Sequence, residues 1–308
     1  MDTLGAKRMS LYGYHRETTP SLELLAKDCT VYNRCFAPAC WTIPSHASMF
    51  TGLYPSQHAT HEANPILSKN IRHLATVLKM SGYRTYGLSS NGLVAPASGL
   101  CPDFDYFVDF GESFDEWMEN FSQKMPDNGV GLSSMLADIP SSIEKIKLSI
   151  KYLMKTGKSD EFIKEGIRFF NRRLQDATTI DNSSYFSRKT VKIFHKIIES
   201  SVVTDDKPFF IFINLMEAHE HYRPPLKWRK YSRLWDRQPF NIGSFYNPNY
   251  QKYLSKLPIF RNLYDDEICF LDHIVHNIYN ICNNNKLLDE TIFISNRSVT
   301  LLDEAIFF

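Results

Sequence analysis

The distribution of apolar and polar residues along the chain predicts strands that alternate with helices. The continuous apolar run Lys207–Leu215 predicts a strand buried on both faces, as in a parallel sheet. Two further strands are predicted at Tyr83–Ser89 and Thr291–Ser295, and helical periods cover about 70–80 and 262–282. This alternation is typical of an α/β sheet that is covered by helices on both sides.

Two short helices and one long insertion complete the predicted organisation. The short helices fall at Ser21–Lys27 and Pro44–Phe50, and the second begins with a proline and has a glycine just beyond its end. Residues 112–200 are rich in Lys, Glu, Ser and aromatic residues, with helical periods that recur as far as 185–199. We interpret them as a helical insertion within a single domain over 1–308.

The composition is that of an ordinary soluble globular protein, with 43% hydrophobic residues and a formal net charge of +1. A balance of basic and acidic residues this close to neutral gives no reason to expect nucleic acid or a membrane as partner. No apolar run approaches the roughly 18 residues that span a bilayer, and Met1–Ser10 lack the apolar core of a secretory signal. The six cysteines include no CxxC pair and are expected to be reduced and mostly buried. We therefore expect a cytoplasmic protein.

The stretch 40–52 carries the most informative local chemistry. It places the hydroxyl of Thr42 just ahead of a helix that begins with Pro44. A helix N-terminus offers unpaired N–H groups and a positive dipole end, which suit a phosphate or sulfate group. Thr42 could attack such a group if a divalent metal lowered the cost of losing its proton. The alternative, and the commoner role for threonine at such a position, is an ordinary N-cap.

Three other groups stand where chemistry is expected. Asp2 could bind a divalent cation at the functional edge of an open α/β sheet, or be a solvated terminus. His219 follows the apolar strand and could protonate a leaving group or bind an anion, or be a loop histidine bonded to backbone. The acidic run Asp265–Glu267 begins a predicted helix, so we prefer a capping role over a metal site.

Taken together, these motifs resemble the sulfatase family of the alkaline phosphatase superfamily. The matching motifs are Asp2-Thr3-Leu4 with 12–20, Trp41–Pro55, Leu74–Thr85, Met216–His219 with 222–225, and Tyr264–Asp272. They look like the family's first metal-binding loop, its nucleophile motif, the helix and strand that follow, its central histidine loop, and the helix before its last metal-binding strand. The resemblance covers about 1–110 and 205–308.

The resemblance implies a mixed, mostly parallel sheet sandwiched by helices. It also implies metal-dependent hydrolysis of sulfate, phosphate or phosphonate esters of a small molecule or carbohydrate, through a covalent intermediate. Calcium is the first expectation for the divalent cation, with manganese, magnesium or zinc as alternatives. The positions carried over are Thr42, His219 and His46 as catalytic, Asp2 and Asn296 as metal-binding, and His58, Asn91 and Arg297 as substrate-binding.

The chain departs from the family's pattern at several positions. Sulfatases mature a cysteine or serine to formylglycine; Thr42 cannot be converted, so none is expected and phosphoryl-ester chemistry stays open. Ser295-Asn296-Arg297 replaces Ser-Asp-His in the last metal loop, where an arginine cation repels a metal. Asn91 stands close to where the family has a lysine. No apolar strand precedes Asp2, and the family continues beyond the position of Phe308, so we expect a domain truncated at both ends, with Asp2 too mobile to hold a metal.

Three functions are compatible with this pattern. The first is a sulfatase-type, metal-dependent ester hydrolase with Thr42 as nucleophile. The second is a catalytically inactive homologue, a pseudoenzyme or binding protein, which the missing strand and Asn296-Arg297 favour. The third is a phosphoryl-group transferase of the same superfamily.

Overall fold

The three strands of the described residues form one parallel sheet. The computed structural model describes residues 1–109, 187–202, 207–239 and 251–295. The strands are β1 Arg84–Ser89, β2 Tyr106–Asp109 and β3 Phe209–Asn214, in the order β2-β1-β3. Both pairings are parallel. The α/β class and the parallel sheet with its helices are thus confirmed.

The most deeply buried strand is β1 and not the strand with the longest apolar run. Every residue of β1 after Arg84 is buried, whereas β3 is half-buried until its last residue, Asn214. The prediction that Lys207–Leu215 is buried on both faces is therefore wrong for most of β3. Position 87 in β1 has no room for a side chain, because a Cβ on Gly87 would lie 2.3 Å from the Phe107 ring.

Seven α-helices lie in the described residues. They are α1 Pro20–Leu25, α2 Thr42–Thr51, α3 Pro55–His58, α4 Leu74–Met80, α5 over 187–197, α6 Gln251–Leu254 and α7 Leu257–Asn284. A π-helical turn, Ile198–Val202, follows α5. Helix α2 begins at Thr42, earlier than predicted, and ends as predicted at Gly52 in the left-handed conformation.

The sheet separates two hydrophobic cores. Ile211 and Ile213 of β3 pack on the larger core, which is built around α7. Phe212, between them, packs on the smaller core beneath α2, where Ile43 and Phe50 are buried. Because successive side chains of a strand point to opposite faces, α7 and α2 lie on opposite sides of the sheet.

The acidic run 265–267 lies inside α7 and does not begin it. Asp265 pairs with Arg8 at 2.9 Å and Arg16 at 2.7 Å, Asp266 accepts backbone N–H groups of 230–232, and Glu267 accepts the N–H of Arg223. Successive helical residues point about 100° apart, so each carboxylate reaches a different segment. The predicted capping role at a helix start is wrong, since these buried acids fasten loops to α7.

In the described residues, one further prediction fails and another holds only in part. Residues 291–295 form no strand there: Ile292 is 88% exposed and Ile294 is 81% exposed, while Phe293 between them packs on Tyr279. An alternating pattern makes a strand only where a neighbouring backbone can pair with it. The six cysteines, all of which lie in the described residues, form no disulfide there, but only Cys101, Cys269 and Cys282 are buried, so the expectation of mostly buried thiols holds for half of them.

Some of the predicted features lie outside the described residues. Most of the predicted insertion, 112–186, lies outside the described residues, and so do Asn296 and Arg297. Within the ranges that are described, no helix is both long and apolar enough to cross a membrane. The cytoplasmic location stays a prediction.

Candidate active site at the carboxyl ends of β1 and β3

The first residues of the chain lie beside the carboxyl end of β3. The Asp2 N–H donates to Leu215 O at 2.9 Å, and Thr3 Oγ1 donates to Ala218 O at 2.6 Å. Asn91 follows the end of β1, and Asn214 is the last residue of β3. The carboxyl ends of parallel strands are where open α/β sheets bind ligands, so this edge is the candidate site.

Asn91 links the candidate metal carboxylate to the candidate nucleophile. Its Nδ2 donates to Asp2 Oδ2 at 2.6 Å and lies 3.4 Å from Thr42 Oγ1. Asp2 Oδ1 accepts the N–H of Thr3 at 3.0 Å, and Asp2 is only 3% exposed. The expectation that Asp2 is mobile is therefore wrong: hydrogen bonds hold both its backbone and its carboxylate.

Asn91 is itself fixed by bonds within its own turn. Its N–H donates to Ser89 Oγ at 3.1 Å, and that hydroxyl donates to Asn91 O at 3.0 Å. The Leu93 N–H donates to Asn91 Oδ1 at 2.9 Å. The bond to Oδ1 leaves Nδ2 turned towards Asp2 and Thr42, so the amide's orientation is determined by its surroundings.

Thr42 is the first residue of α2 and does not cap it. The N-cap residue is Trp41, and no side chain caps this helix. The half-buried Thr42 hydroxyl instead faces Asn91. The structure therefore gives no support to the N-cap alternative, and it leaves the hydroxyl at a helix N-terminus, where an anionic group is favoured.

His46, one turn along α2, is engaged at both ring nitrogens. Its Nδ1 lies 2.8 Å from Thr42 O, and its Nε2 lies 3.1 Å from Asn214 Nδ2. Burial lowers the pKa of His46 below its ordinary value, which favours the neutral ring. The catalytic role predicted for His46 stays a prediction, since neither nitrogen is open to a substrate in this arrangement.

The two other candidate histidines differ in what they offer. His219 is half-buried in the loop after β3, and its Nδ1 lies 2.7 Å from Glu220 O. A carbonyl only accepts, so Nδ1 donates and Nε2 is the nitrogen left for chemistry. His58 is 2% exposed; it receives the N–H of Thr60 at Nδ1 and bonds Ser48 Oγ through Nε2. These contacts join α3 to α2 and give the predicted substrate-binding role of His58 no support.

Asn214 and Glu217 did not emerge from the sequence as site residues. Asn214 is 2% exposed, and Glu217 follows it in the loop that leads to His219. Burial raises the pKa of Glu217 to about 7, so its carboxyl changes charge near neutral pH. The signal that could have pointed to Asn214 is a polar residue that ends an apolar strand, where side chains face the ligand edge.

The described residues supply only part of a metal site. Nowhere in the described ranges do three His, Cys, Asp or Glu side chains gather in a way that could hold a metal ion. Asp2 and the Thr42 hydroxyl are oxygen ligands of the kind that hard divalent cations take, but such cations need about six. Asp2 fits a cation as one ligand, and the predicted Asn296 lies outside the described residues.

The fold and this edge define an α/β protein with a threonine, a carboxylate and an amide at the carboxyl ends of its strands. The family model described as Sulfatase matches residues 1–295, and the chain belongs to the sulfatase family.

Among curated proteins, the chain is similar to a phosphoethanolamine transferase, EptC, of Escherichia coli O18:K1:H7 (strain RS218 / NMEC). The two are 23% identical over 235 residues, which cover 71% of this chain and 39% of the relative. The match therefore spans about two fifths of the relative's length.

Two solved structures are also similar. A phosphonate monoester hydrolase of Agrobacterium radiobacter has a TM-score of 0.52 and 14% identity, over 94% of this chain and 59% of that one. The C-terminal periplasmic domain of EptC from Escherichia coli, in complex with zinc, has a TM-score of 0.48 and 18% identity, over 91% and 57% of the two chains. At these identities the likeness to the hydrolase concerns the fold alone.

Proposed function

We propose that this chain carries a phosphoryl-transfer site in which Thr42 receives the phosphoryl group of an ester and passes it to an acceptor. One observation carries the proposal: Asn91 Nδ2 bridges the buried carboxylate of Asp2 and the hydroxyl of Thr42, at 2.6 Å and 3.4 Å. An amide that donates to the hydroxyl oxygen leaves the hydroxyl hydrogen free to depart. The hydroxyl oxygen thus accepts from the same amide nitrogen that binds the carboxylate, and this bond does not use the hydroxyl proton.

The reaction has two steps. In the first, Thr42 Oγ forms a bond to phosphorus, its proton leaves to solvent, and the bond from phosphorus to the leaving oxygen breaks. That leaving oxygen takes a proton, and His219 Nε2, when protonated, is the donor we assign on the loop after β3. In the second, the acceptor's oxygen forms a bond to phosphorus and loses its proton, the bond from phosphorus to Thr42 Oγ breaks, and Oγ takes a proton from solvent.

A divalent cation would supply charge stabilisation to the phosphoryl oxygens when bound. Asp2 is the residue of the described part of the chain that would hold it. The α2 N-terminus contributes in the same sense, because its first N–H groups and dipole favour negative charge beside Thr42. Water as acceptor makes the site a hydrolase, and an alcohol makes it a transferase.

Two points favour a phosphoryl ester over a sulfate ester. Thr42 cannot mature to formylglycine, the nucleophile of sulfatases. The curated relative bears the name of a phosphoethanolamine transferase. Sulfate-ester hydrolysis is the second candidate, which the match to the sulfatase family model favours.

The test is an assay of the purified chain with Ca²⁺, Mn²⁺, Mg²⁺ or Zn²⁺ on an aryl phosphate, an aryl phosphodiester, a phosphoethanolamine ester and an aryl sulfate. Thr42→Val removes the hydroxyl and keeps the β-branched shape. Thr51→Val makes the same change at the other end of α2, where the hydroxyl bonds only within its own turn region, to Ala47 O and Leu53 N. We expect phosphoryl turnover that Thr42→Val abolishes and Thr51→Val retains; no turnover with any cation, or turnover of the sulfate alone, would contradict the proposal.

A further inference from the structure

A chain of hydrogen bonds joins the end of β3 to the first turn of α2. Asn214 Nδ2 lies 3.1 Å from His46 Nε2, and His46 Nδ1 lies 2.8 Å from the carbonyl oxygen of Thr42. Asn214 and His46 are 2% and 6% exposed. The chain therefore runs through the interior, from the sheet to the residue that carries the candidate nucleophile.

The Thr42 carbonyl, at one end of this series of hydrogen bonds, determines which nitrogen of His46 carries a hydrogen. A carbonyl oxygen only accepts, so His46 Nδ1 carries a hydrogen, and Nε2 of the neutral ring has a lone pair. That lone pair requires a donor, which is the amide nitrogen of Asn214. The other amide atom, Asn214 Oδ1, has no hydrogen-bond partner among the described residues. The orientation of the Asn214 amide is therefore set by its bond to the neutral His46 ring, and not by a hydrogen bond to Oδ1.

Both ends of the chain are anchored to rigid elements. Asn214 is paired with Ser89 in the β1–β3 ladder, and its carbonyl accepts the N–H of Ser90 at 3.2 Å. The His46 ring packs edge-on against Phe212 of β3, with 6.2 Å between ring centroids. In a regular helix the carbonyl of Thr42 accepts only the backbone N–H of the residue four positions on. The ring bond is thus an additional hydrogen bond on this carbonyl within α2, and the bond from His46 to Asn214 connects it to the sheet.

We propose that Asn214 is a positioning residue that acts through His46 to hold the first turn of α2, and thereby sets the place of the Thr42 hydroxyl against Asn91. The inference rests on the proposed role of Thr42. A hydroxyl displaced by about 1 Å can cost on the order of 10²-fold in rate. We therefore expect Asn214→Ala to lower kcat on the order of 10²-fold, with KM for the ester little changed.

Two variants of His46 distinguish its hydrogen bond to the Thr42 carbonyl from its hydrogen bond to Asn214. His46→Asn places an amide nitrogen near the former Nδ1 and keeps a donor for the Thr42 carbonyl. His46→Gln places its amide near the former Nε2 and keeps a partner for Asn214, but loses the bond to that carbonyl. We expect His46→Asn to retain more of kcat than His46→Gln, and Thr51→Val, on the same helix, to retain all of it. The reverse order, or an unchanged kcat in Asn214→Ala, would overturn the proposal.

A second readout needs no turnover. Nitrogen NMR of the imidazoles of the intact chain should show His46 as the neutral Nδ1–H tautomer, and the methyl resonance of Thr42 should shift in Asn214→Ala but not in Thr51→Val. An Nε2–H tautomer, or a Thr42 methyl that Asn214→Ala leaves in place, refutes the positioning role. If Asn214→Ala does not fold, Asn214→Ser, whose hydroxyl is too short to reach the ring, replaces it. A wild-type chain without turnover defeats the proposed function alone, since these NMR outcomes still decide the inference.

Discussion

Asp266 offers the sharpest test of how α7 organises the molecule. This fully buried carboxylate accepts the N–H groups of Lys230 and Tyr231 at Oδ1, at 2.9 and 2.8 Å. Its Oδ2 accepts the N–H of Ser232 at 2.9 Å and the hydroxyl of the same residue. Asp266→Asn keeps the shape and one acceptor oxygen but turns an NH₂ group towards Ser232. Asp266→Ala removes every acceptor at once.

The expected costs follow from these contacts. In Asp266→Asn, the Ser232 N–H is left unsatisfied at about 1–3 kcal/mol, and the remaining bonds lose their charge assistance. Part of this is offset, because burial raises the pKa of Asp266 and so disfavours the charged form that asparagine removes. We expect a loss of about 2–3 kcal/mol for Asp266→Asn and about 4–5 kcal/mol for Asp266→Ala.

Urea unfolding followed by circular dichroism measures these losses as shifts of the midpoint at an unchanged slope. The exposed Asp289 in the short helical turn after α7 supplies the control: Asp289→Asn should change the free energy of unfolding by less than about 0.5 kcal/mol. Equal stability of the two Asp266 variants, or a loss in Asp266→Asn no larger than that of the control, would contradict these expected costs.

Three further predictions concern acid stability, backbone conformation and the site. Burial lowers the pKa of His73 to about 4 from 6.5, so between these pH values the folded state binds fewer protons than the unfolded state. Up to about 3 kcal/mol of stability is therefore lost as the pH falls from 6.5 towards 4. His73→Asn keeps an acceptor that can cap the helix, and its stability should fall less steeply with decreasing pH in thermal melts. Gly52→Ala and Gly99→Ala both place an alanine in the left-handed conformation, which costs about 1 kcal/mol at each position. Of the two, only the new Cβ at Gly99 meets a backbone oxygen, at 2.3 Å, so Gly99→Ala should lower the melting temperature clearly more than Gly52→Ala. Equal decreases in melting temperature would refute this. Asn91→Leu removes the donor to the buried carboxylate and should lower kcat on the order of 10²-fold, whereas the exposed Asn70→Leu should not.

The sequence predicted the positions of the regular elements better than their surroundings. Periodicity located β1, β3 and α7 because apolar repeats follow backbone geometry. It did not show that β1, with its glycine and polar residues, is the most buried strand, since burial depends on which strands are neighbours. For the same reason Thr291–Ser295 has a strand-like pattern but no partner in the described part of the chain.

In the candidate site, too, the sequence predicted individual residues but not the contacts between them. Thr42 and Asp2 were predicted from motifs, but the bridge between them depends on where the chain turns after β1, which no local pattern encodes. A short pattern also could not distinguish a helix start from a helix interior, so the acids 265–267 were interpreted as caps. Asn214 was missed because its role depends on a contact with His46, which lies far away in the sequence.

The most direct measurement of the central claim is the mass of Thr42 during turnover. The purified chain is mixed with divalent cation and an aryl phosphate, quenched in acid within one turnover, digested and analysed by peptide mass spectrometry. We predict one added phosphoryl group on the peptide that contains Thr42, localised to that residue and absent from Thr42→Val. Turnover with an unmodified Thr42, or with the phosphoryl group on another residue, would contradict the account.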